Sequence, residues 1–287
     1  MAQRQEDRRR AAGHELLMRG GVGLSLVLIG LTANAAPRRQ LRVCADPNNL
    51  PYSNHAGEGL ENALARFVAD KLDAELTYTW QPQRRGFVRN TLSAKRCDVM
   101  MEAPVGYERA ATTAPYYRSS YVFVARADRK LVLRSFDDPR LPSLRVGVQL
   151  VGDDYANPPP AAALGRRGLA KNVVGYPVYG DYSAAMPLLP IIDAVAKGDI
   201  DVAVVWGPLG GWLARRSRVP LTVTPIVPAA ADGALPLAFD IGMGVRRADT
   251  SLRAELDGVI RAHRTELTAL LRRYGVPLLP PASGHPR

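Results

Sequence analysis

The chain has 287 residues and carries 38 lysines and arginines against 27 aspartates and glutamates, a formal net charge of +11 at pH 7. This length allows two lobes of ordinary domain size, and the histidines and cysteines show no spacing typical of a metal site, nor does the sequence indicate a cofactor. The basic residues are spread along the chain rather than gathered in one block, so most of them are expected to be solvated surface.

A basic segment followed by an apolar run indicates a secretory signal at the N-terminus. The run, Val22–Leu31, precedes an A-N-A motif that ends at Ala35, with small residues where a signal peptidase needs them. It is too short to cross a hydrocarbon core of about 30 Å, and a buried N-terminal helix is the alternative. We therefore predict a signal peptide over residues 1–35 and a periplasmic protein that is not an integral membrane protein. Nucleic acid is not expected as its partner there, and an acidic protein or a small anion is a better expectation.

Strand and helix patterns alternate along the rest of the chain. The predicted strands are Leu41–Ala45, Leu76–Trp80, Cys97–Met101, Tyr121–Ala125, Leu144–Val148, Val173–Val178, Ile200–Trp206, Thr222–Val227 and Phe239–Val245. The predicted helices are 59–72, 86–96, 161–167, one that contains Ile191 and ends at Gly198, and a long one over 252–274. The continuous apolar run at 200–206 is typical of a strand that is buried on both faces.

The order of these elements predicts an α/β fold with two doubly wound lobes. The pattern pauses after the strand at 121–125 and begins again at 144–148, and the crossovers near 126–130 and 227–237 would form a two-strand hinge. The predicted divisions are 40–125 with 231–279 for lobe 1, 126–230 for lobe 2, and 280–287 for a disordered tail. Ligands of such sheets bind beyond the carboxyl ends of the strands, so we expect a site in a cleft between the lobes that closes by hinge motion.

Several segments of about ten residues resemble one family throughout. They are Cys44–Asn54, Trp80–Leu92, Pro115–Phe123, Gly147–Asp154 and Asp201–Pro208. The family is the periplasmic solute-binding proteins associated with quinoprotein dehydrogenases, the MxaJ and XoxJ type, within extracellular solute-binding protein family 3. The resemblance, which covers about Leu41 to Pro277, implies a type II periplasmic-binding-protein fold. It also implies an accessory role in the activation or maturation of a PQQ-dependent alcohol (methanol) dehydrogenase, with the cytochrome c of that enzyme as a further candidate partner.

Two other classes of function stay open. The first is the substrate-binding receptor of an ABC importer, whose partner would be an ABC permease. The second is an enzyme on the same scaffold, for which Glu102 and Asp240 are the candidate acid and base. The sequence has no nucleophile elbow and no glycine-rich phosphate loop. We therefore predict a protein that is not an enzyme.

Arginines dominate the predicted site. Arg84 and Arg85 lie at the start of the predicted second helix, where backbone N–H groups and two guanidinium groups would bind an anion. An internal salt bridge, to Glu102 for example, is an equal alternative. Arg109 matches the arginine that grips the ligand carboxylate in amino-acid-binding relatives. The cavity is expected to be rich in guanidinium groups and poor in carboxylates.

Further candidates follow the predicted strands of both lobes. They are Asn49, Tyr52, Gln149, Asp153, Asp181 and Trp206, with local turn or capping chemistry as the alternative for the amide and acidic side chains. The resemblance adds a constraint at Trp206. Amino-acid-binding relatives carry an acid just past this strand for the ligand's ammonium group, whereas Gly207 and Pro208 stand here. An ammonium group bound there would lack a counter-charge, which costs several kcal/mol of binding free energy if the group is desolvated. We therefore expect a small organic anion or a partner segment as the ligand.

The only cysteines, Cys44 and Cys97, fall on strands expected to be neighbours in lobe 1. Export to an oxidising compartment favours a disulfide between them. Two separate buried thiols are the alternative.

Overall fold

The computed structural model describes residues 38–150, 157–226 and 236–281, all within one compact unit. The predicted signal peptide and the candidate Asp153 lie outside the described residues. Most of the second predicted crossover, at 227–235, and most of the predicted tail, at 282–287, lie outside them as well.

The strands in chain order are β1 Gln40–Ala45, β2 Asn48–Asn49, β3 Ser53–Asn54, β4 Glu75–Trp80, β5 Val99–Pro104, β6 Ala111–Thr112, β7 Tyr117–Arg126, β8 Val146–Leu150, β9 Val173–Pro177, β10 Val202–Trp206, β11 Leu221–Pro225 and β12 Ala238–Val245. The helices are α1 Leu60–Lys71, α2 Phe87–Asn90, α3 Pro159–Arg166, α4 Pro190–Lys197, α5 Gly207–Ala214, α6 Thr250–Ala262 and α7 Arg264–Arg273. The alternation of strands and helices confirms the predicted α/β class.

The first part of the sheet combines strands from both ends of the sequence. Strand β1 runs parallel to β4 and β5, and β5 pairs antiparallel with β12, which also pairs with β6 and β7. Helices α1, α6 and α7 bury their apolar residues against these strands in one hydrophobic cluster that includes Val43, Leu64, Val245, Leu256 and Leu267. The chain therefore returns to its starting sheet near its C-terminus.

Strand β7 carries the chain from this part of the sheet to the other. Its residues 117–120 pair with β12, whereas residues 121–126 pair with β10 and β11. The change of partner falls between Ser120 and Tyr121, which is before the crossover predicted at 126–130. The lobe boundaries given above stay a prediction.

Strand β10, in the second part of the sheet, is buried on both faces. Strand β8 lies between β10 and β9 and is parallel to both. Val202 and Val204 of β10 belong to one hydrophobic cluster, with helix α3, whereas Ala203 and Val205 belong to another, with α4 and α5. All four are at most 1% exposed, as predicted from the continuous apolar run.

The predicted helix over 86–96 is wrong. Gly86 has φ +92°, and α2 completes a single turn before Thr91 leaves helical geometry at φ −120° and ψ −82°. The rest of the segment folds back in turns, because Cys97 must reach Cys44 on β1 and the apolar residues of the segment pack around that disulfide.

Two further differences concern helices. The predicted helix over 252–274 is interrupted at His263, where φ −122° and ψ 29° separate α6 from α7. Helix α5 was not expected, since glycine disfavours helices by about 1 kcal/mol per residue. Its glycines permit close packing instead, because a Cβ on Gly211 would lie 2.0 Å from the carbonyl oxygen of Gly275.

Candidate functional site

A cavity of about 300 Å³, here called the inner cavity, lies beside the point where β7 changes partner. Its lining includes the aromatic side chains of Tyr52, Tyr117, Tyr121, Trp206 and Phe239 and the carboxyl groups of Glu61 and Glu102. The aromatic residues come from the turn between β2 and β3 and from β7, β10 and β12. Two parts of the sheet thus contribute to one cavity.

The loop that carries Tyr52 is fastened to the start of α1. The backbone N–H of Leu60 donates to the carbonyl oxygen of Pro51, and that of Glu61 donates to the carbonyl oxygen of Tyr52, both at 2.7 Å. Gly59 permits this approach, because a Cβ there would lie 2.1 Å from the Tyr52 carbonyl oxygen. The same contact therefore places Tyr52 and Glu61 together on the cavity wall.

Aromatic rings from three strands meet at the cavity. The rings of Tyr121 and Trp206 have centroids 5.5 Å apart, and those of Trp206 and Phe239 are 5.7 Å apart, each pair in an edge-to-face arrangement. Tyr121 and Trp206 are also paired in register across β7 and β10. Such packing holds the rings in fixed orientations.

The carboxyl groups of the inner cavity lack basic partners among the described residues. Glu61 is 6% exposed, and Tyr117 Oη donates a hydrogen bond to Glu102 Oε1 at 3.0 Å. Burial raises the pKa of Glu102 to about 7, and the bond from Tyr117 opposes that rise. Burial, followed by the negative charges of Glu102 and Asp46, raises the pKa of Glu61 well above its ordinary value.

A second hollow of about 420 Å³, the outer pocket, holds the predicted arginines. Arg84, Arg85 and Arg109 all line it, and their side chains are exposed. Within the described residues none of the three forms a salt bridge. The outer pocket shares Gln83 and Glu102 with the inner cavity, so the two spaces adjoin.

Arg84 contacts the segment that follows β9. Its guanidinium lies 4.5 Å from the centroid of the Tyr182 ring and 5.7 Å from that of Tyr179. Tyr182 Oη donates to the carboxylate of Asp46, and Asn48 Nδ2 donates to the carbonyl oxygen of Tyr182 at 3.0 Å. Loops from the two parts of the sheet are therefore joined beside the outer pocket.

The surroundings of Arg84 and Arg85 differ from both arrangements that the sequence suggested. The alternative salt bridge between Glu102 and Arg84 or Arg85 is not formed in the described structure. The expected contribution of a helix N-terminus is also wrong, because α2 has only 4 residues and so carries too small a dipole. What remains of the expected anion site is the three guanidinium groups that line the outer pocket.

The remaining predicted residues divide between the two spaces and positions outside them. Tyr52 and Trp206 line the inner cavity, and Asn49 Nδ2 donates to Gln83 Oε1 at 3.2 Å beside it. Gln149 lies on β8 opposite Tyr176 and lines neither space. Asp181 accepts hydrogen bonds from the backbone N–H and hydroxyl of Ser183, the turn chemistry that was its alternative.

The expectation of a cavity poor in carboxylates is wrong for the inner cavity. Glu61 was missed because an acid on a helix is usually solvated, and its burial depends on the loop that carries Tyr52. Phe239 was missed because it lies within a predicted core strand. Asp240, the candidate partner of Glu102 in an acid–base pair, instead forms a salt bridge with Arg118 at 2.8 Å and lines neither space.

The disulfide lies behind the outer pocket. Cys44 on β1 is joined to Cys97, with 5.3 Å between the Cα atoms, as predicted. Phe87 and Val88, the first residues of α2, pack in the same hydrophobic cluster. The bond therefore supports the segment from which Arg84 and Arg85 project.

Neither a membrane-spanning helix nor a metal cluster is found in the described part of the chain. No helix there is both long and apolar enough to cross a membrane. The same residues contain no group of three or more His, Cys, Asp or Glu side chains arranged to hold a metal ion.

Comparison with known proteins agrees with this architecture. The chain is 34% identical to the protein MoxJ of Methylorubrum extorquens over 248 residues, which cover 84% of this chain and 82% of MoxJ. Its fold matches the crystal structure of the periplasmic binding protein XoxJ from Methylobacterium extorquens AM1 with a TM-score of 0.69 at 36% identity, covering 84% of this chain and 100% of XoxJ.

A further crystal structure, that of MxaJ from Methlophaga aminisulfidivorans MPT, matches with a TM-score of 0.72 at 26% identity, over 84% of this chain and 100% of MxaJ. A family model matches residues 41–277, which is most of the chain. The protein has the type II periplasmic-binding-protein fold and belongs to the bacterial extracellular solute-binding proteins, family 3.

Proposed function

We propose that the protein is an exported, non-enzymatic accessory protein of the solute-binding type that acts with a PQQ-dependent alcohol dehydrogenase of the methanol-oxidising kind. Its role is in the activation or maturation of that enzyme. The observation that carries this proposal is the similarity to MoxJ and XoxJ, at 34% and 36% identity, over 84% of the chain. The cytochrome c of the dehydrogenase is a further candidate partner.

The proposed location is the periplasm, reached through a signal peptide over residues 1–35. The family of extracellular solute-binding proteins supports this location. The disulfide between Cys44 and Cys97 supports it as well, because such bonds persist in oxidising compartments.

The proposed contact for the partner or for a small organic anion is the outer pocket. Arg84, Arg85 and Arg109 present exposed guanidinium groups there without salt-bridge partners in the described structure. A guanidinium can bind a carboxylate through two parallel hydrogen bonds. Carboxylates on a partner segment or on a small ligand therefore fit this pocket.

Purification from the native periplasm tests the proposal. The dehydrogenase is expected to co-purify with the protein, and to do so less with the double variant Arg84→Ala/Arg85→Ala. Arg89→Ala is the matched control, because Arg89 is an exposed arginine of the same segment that does not line the outer pocket. Purification without any dehydrogenase, under conditions where the enzyme is present, would contradict the accessory role.

The substrate-binding receptor of an ABC importer is the second candidate. The inner cavity favours it, because a cavity of about 300 Å³ has the size of a small-molecule site. Under this function a permease is the partner, and a free metabolite gives saturable thermal stabilisation of the isolated protein. Co-purification with a permease rather than a dehydrogenase would establish it.

A further inference from the structure

The inner cavity can acquire charge of one sign only. Glu61 and Glu102 are the ionisable acids of its lining, and the lining includes no lysine, arginine or histidine among the described residues. The nearest basic cluster, Arg84, Arg85 and Arg109, lines the outer pocket instead. An anion in the inner cavity would therefore meet carboxyl groups without any cation to offset them.

A cation would gain from both kinds of side chain in the lining. The face of an aromatic ring attracts a cation within about 6 Å of its centroid, most strongly when water is excluded. A buried carboxylate is costly when it has no counter-ion, and Glu61 is 6% exposed with no basic partner in the described chain. A cation that enters the cavity therefore favours the ionised form of Glu61.

We propose that the inner cavity is a binding site for a small organic ammonium ion, with Glu61 and Glu102 as counter-charges and the rings of Tyr121, Trp206 and Phe239 as walls. The volume of about 300 Å³ is at the lower end for ligand pockets and suits an ion with a few non-hydrogen atoms. The raised pKa of Glu102, about 7, agrees with a carboxyl group that lacks its counter-ion.

The site differs from the pairing expected after β10. The position that follows Trp206 begins helix α5 with Gly207 and offers no carboxylate. The negative charge comes instead from α1 and β5, in the other part of the sheet. The ammonium ion would therefore pair with acids of the first part of the molecule, and not with a residue that follows β10.

Calorimetric titration of the full protein at pH 8 tests the proposal. The probes are tetramethylammonium and ethylammonium, with tert-butanol as the neutral control of similar shape and propionate as the anionic control. Saturable binding of an ammonium probe at least tenfold tighter than tert-butanol and propionate is expected. Equal affinity for ammonium and tert-butanol, or tighter binding of propionate, would overturn the proposal, and this comparison needs no variant.

Variants then assign the counter-charges. Glu61→Gln and Glu102→Gln are each expected to weaken ammonium binding tenfold or more, because the amide keeps the shape and cannot ionise to a counter-charge. Glu75→Gln is the matched control, since Glu75 is an exposed acid of β4 away from the cavity, and its affinity should equal that of the wild type. Unchanged affinity in both cavity variants would also overturn the proposal.

A lysine side chain of a partner protein carries the same ammonium chemistry. Binding of N-acetyl-lysine methylamide at least as tight as that of ethylammonium supports the site and indicates a protein source for the ammonium group, whereas preference for the free ions supports a metabolite.

The inference rests on the proposed function in treating the cleft as a binding site. If the protein binds ammonium ions but does not co-purify with the dehydrogenase, only the proposed function is contradicted. If it co-purifies with the dehydrogenase but does not bind ammonium ions, only this inference is contradicted.

Discussion

Tyr117 and Glu102 are joined by a hydrogen bond of 3.0 Å that connects β7 to β5 across the intervening strand β12. The phenol donates and the carboxyl oxygen accepts. The bond favours the charged form of a side chain whose burial otherwise favours the neutral form. It therefore sets how readily the inner cavity acquires negative charge.

The first prediction concerns stability against pH. Folded Glu102 keeps its proton up to about pH 7, whereas the ordinary pKa is 4.5. Unfolding therefore releases a proton between these values, so raising the pH across this window lowers the stability of the folded protein. Thermal unfolding of the wild type and of Glu102→Gln from pH 4.5 to 8 checks this, and the variant should lose less stability over that range. Equal slopes in the two proteins would contradict it.

The second prediction isolates the bond from Tyr117. Tyr117→Phe removes the donor while keeping the ring, so the pKa of Glu102 should rise further. The measurement is the pH titration of the Glu102 carboxyl carbon by NMR. Tyr107→Phe, a change on the outer pocket away from this bond, is the control and should leave the titration unchanged.

The third prediction concerns the disulfide. Its cysteines are 53 residues apart, and closing a loop of that length in the unfolded chain contributes on the order of 4 kcal/mol. Cys44→Ala/Cys97→Ala should lower the free energy of unfolding by about that amount in urea denaturation. A reducing agent should destabilise the wild type and leave the double variant unchanged. A variant as stable as the wild type would show that the native structure gains nothing from the bond.

The fourth prediction concerns Gly59. A methyl group at this position would lie 2.1 Å from the carbonyl oxygen of Tyr52, so Gly59→Ala must displace the loop that carries Tyr52. We expect a loss of about 1–3 kcal/mol in stability and weaker binding of any ligand of the inner cavity. Gly258→Ala on α6 is the control: it meets no atom within 4 Å, and it should stabilise the protein by up to about 1 kcal/mol.

The fifth prediction separates binding from folding in the outer pocket. Arg84 and Arg85 are exposed, and the contact of Arg84 with the Tyr182 ring is a cation–π interaction, worth about 0.5–1 kcal/mol at such a site. Arg84→Ala/Arg85→Ala should therefore change the free energy of unfolding by no more than about 1 kcal/mol, as measured in urea. A large loss would mean that these arginines hold the fold together rather than bind a partner.

The local pattern of apolar residues was enough to predict a strand whose side chains are almost all buried. The apolar run that became β10 identified a strand buried on both faces, because each of its faces packs on a separate hydrophobic cluster. The helix predicted over 86–96 failed for the opposite reason. Its end is fixed by the disulfide at Cys97, a contact with a strand more than fifty residues earlier, and no periodicity within the segment contains that constraint.

The candidate site was predictable only in part. Arg84 and Arg85 were found because they follow a predicted strand at its carboxyl end, and Arg109 because the resemblance to amino-acid-binding relatives points to it. Glu61 was not, because its burial results from the approach of the Tyr52 loop to the start of α1. Tertiary contacts decide which acid is solvated and which is enclosed, and these contacts leave no mark in the local sequence.

Strand β7 has a mechanical consequence for the way a ligand enters. Since one unbroken strand belongs to both parts of the sheet, a rotation of one part against the other has to be absorbed by backbone dihedrals near Ser120 and Tyr121. The ring of Tyr121 is also a wall of the inner cavity. The hinge motion predicted from the sequence would therefore reshape the cavity as it opens the cleft, and a ligand that fixes the Tyr121 ring would also fix the angle between the two parts of the sheet.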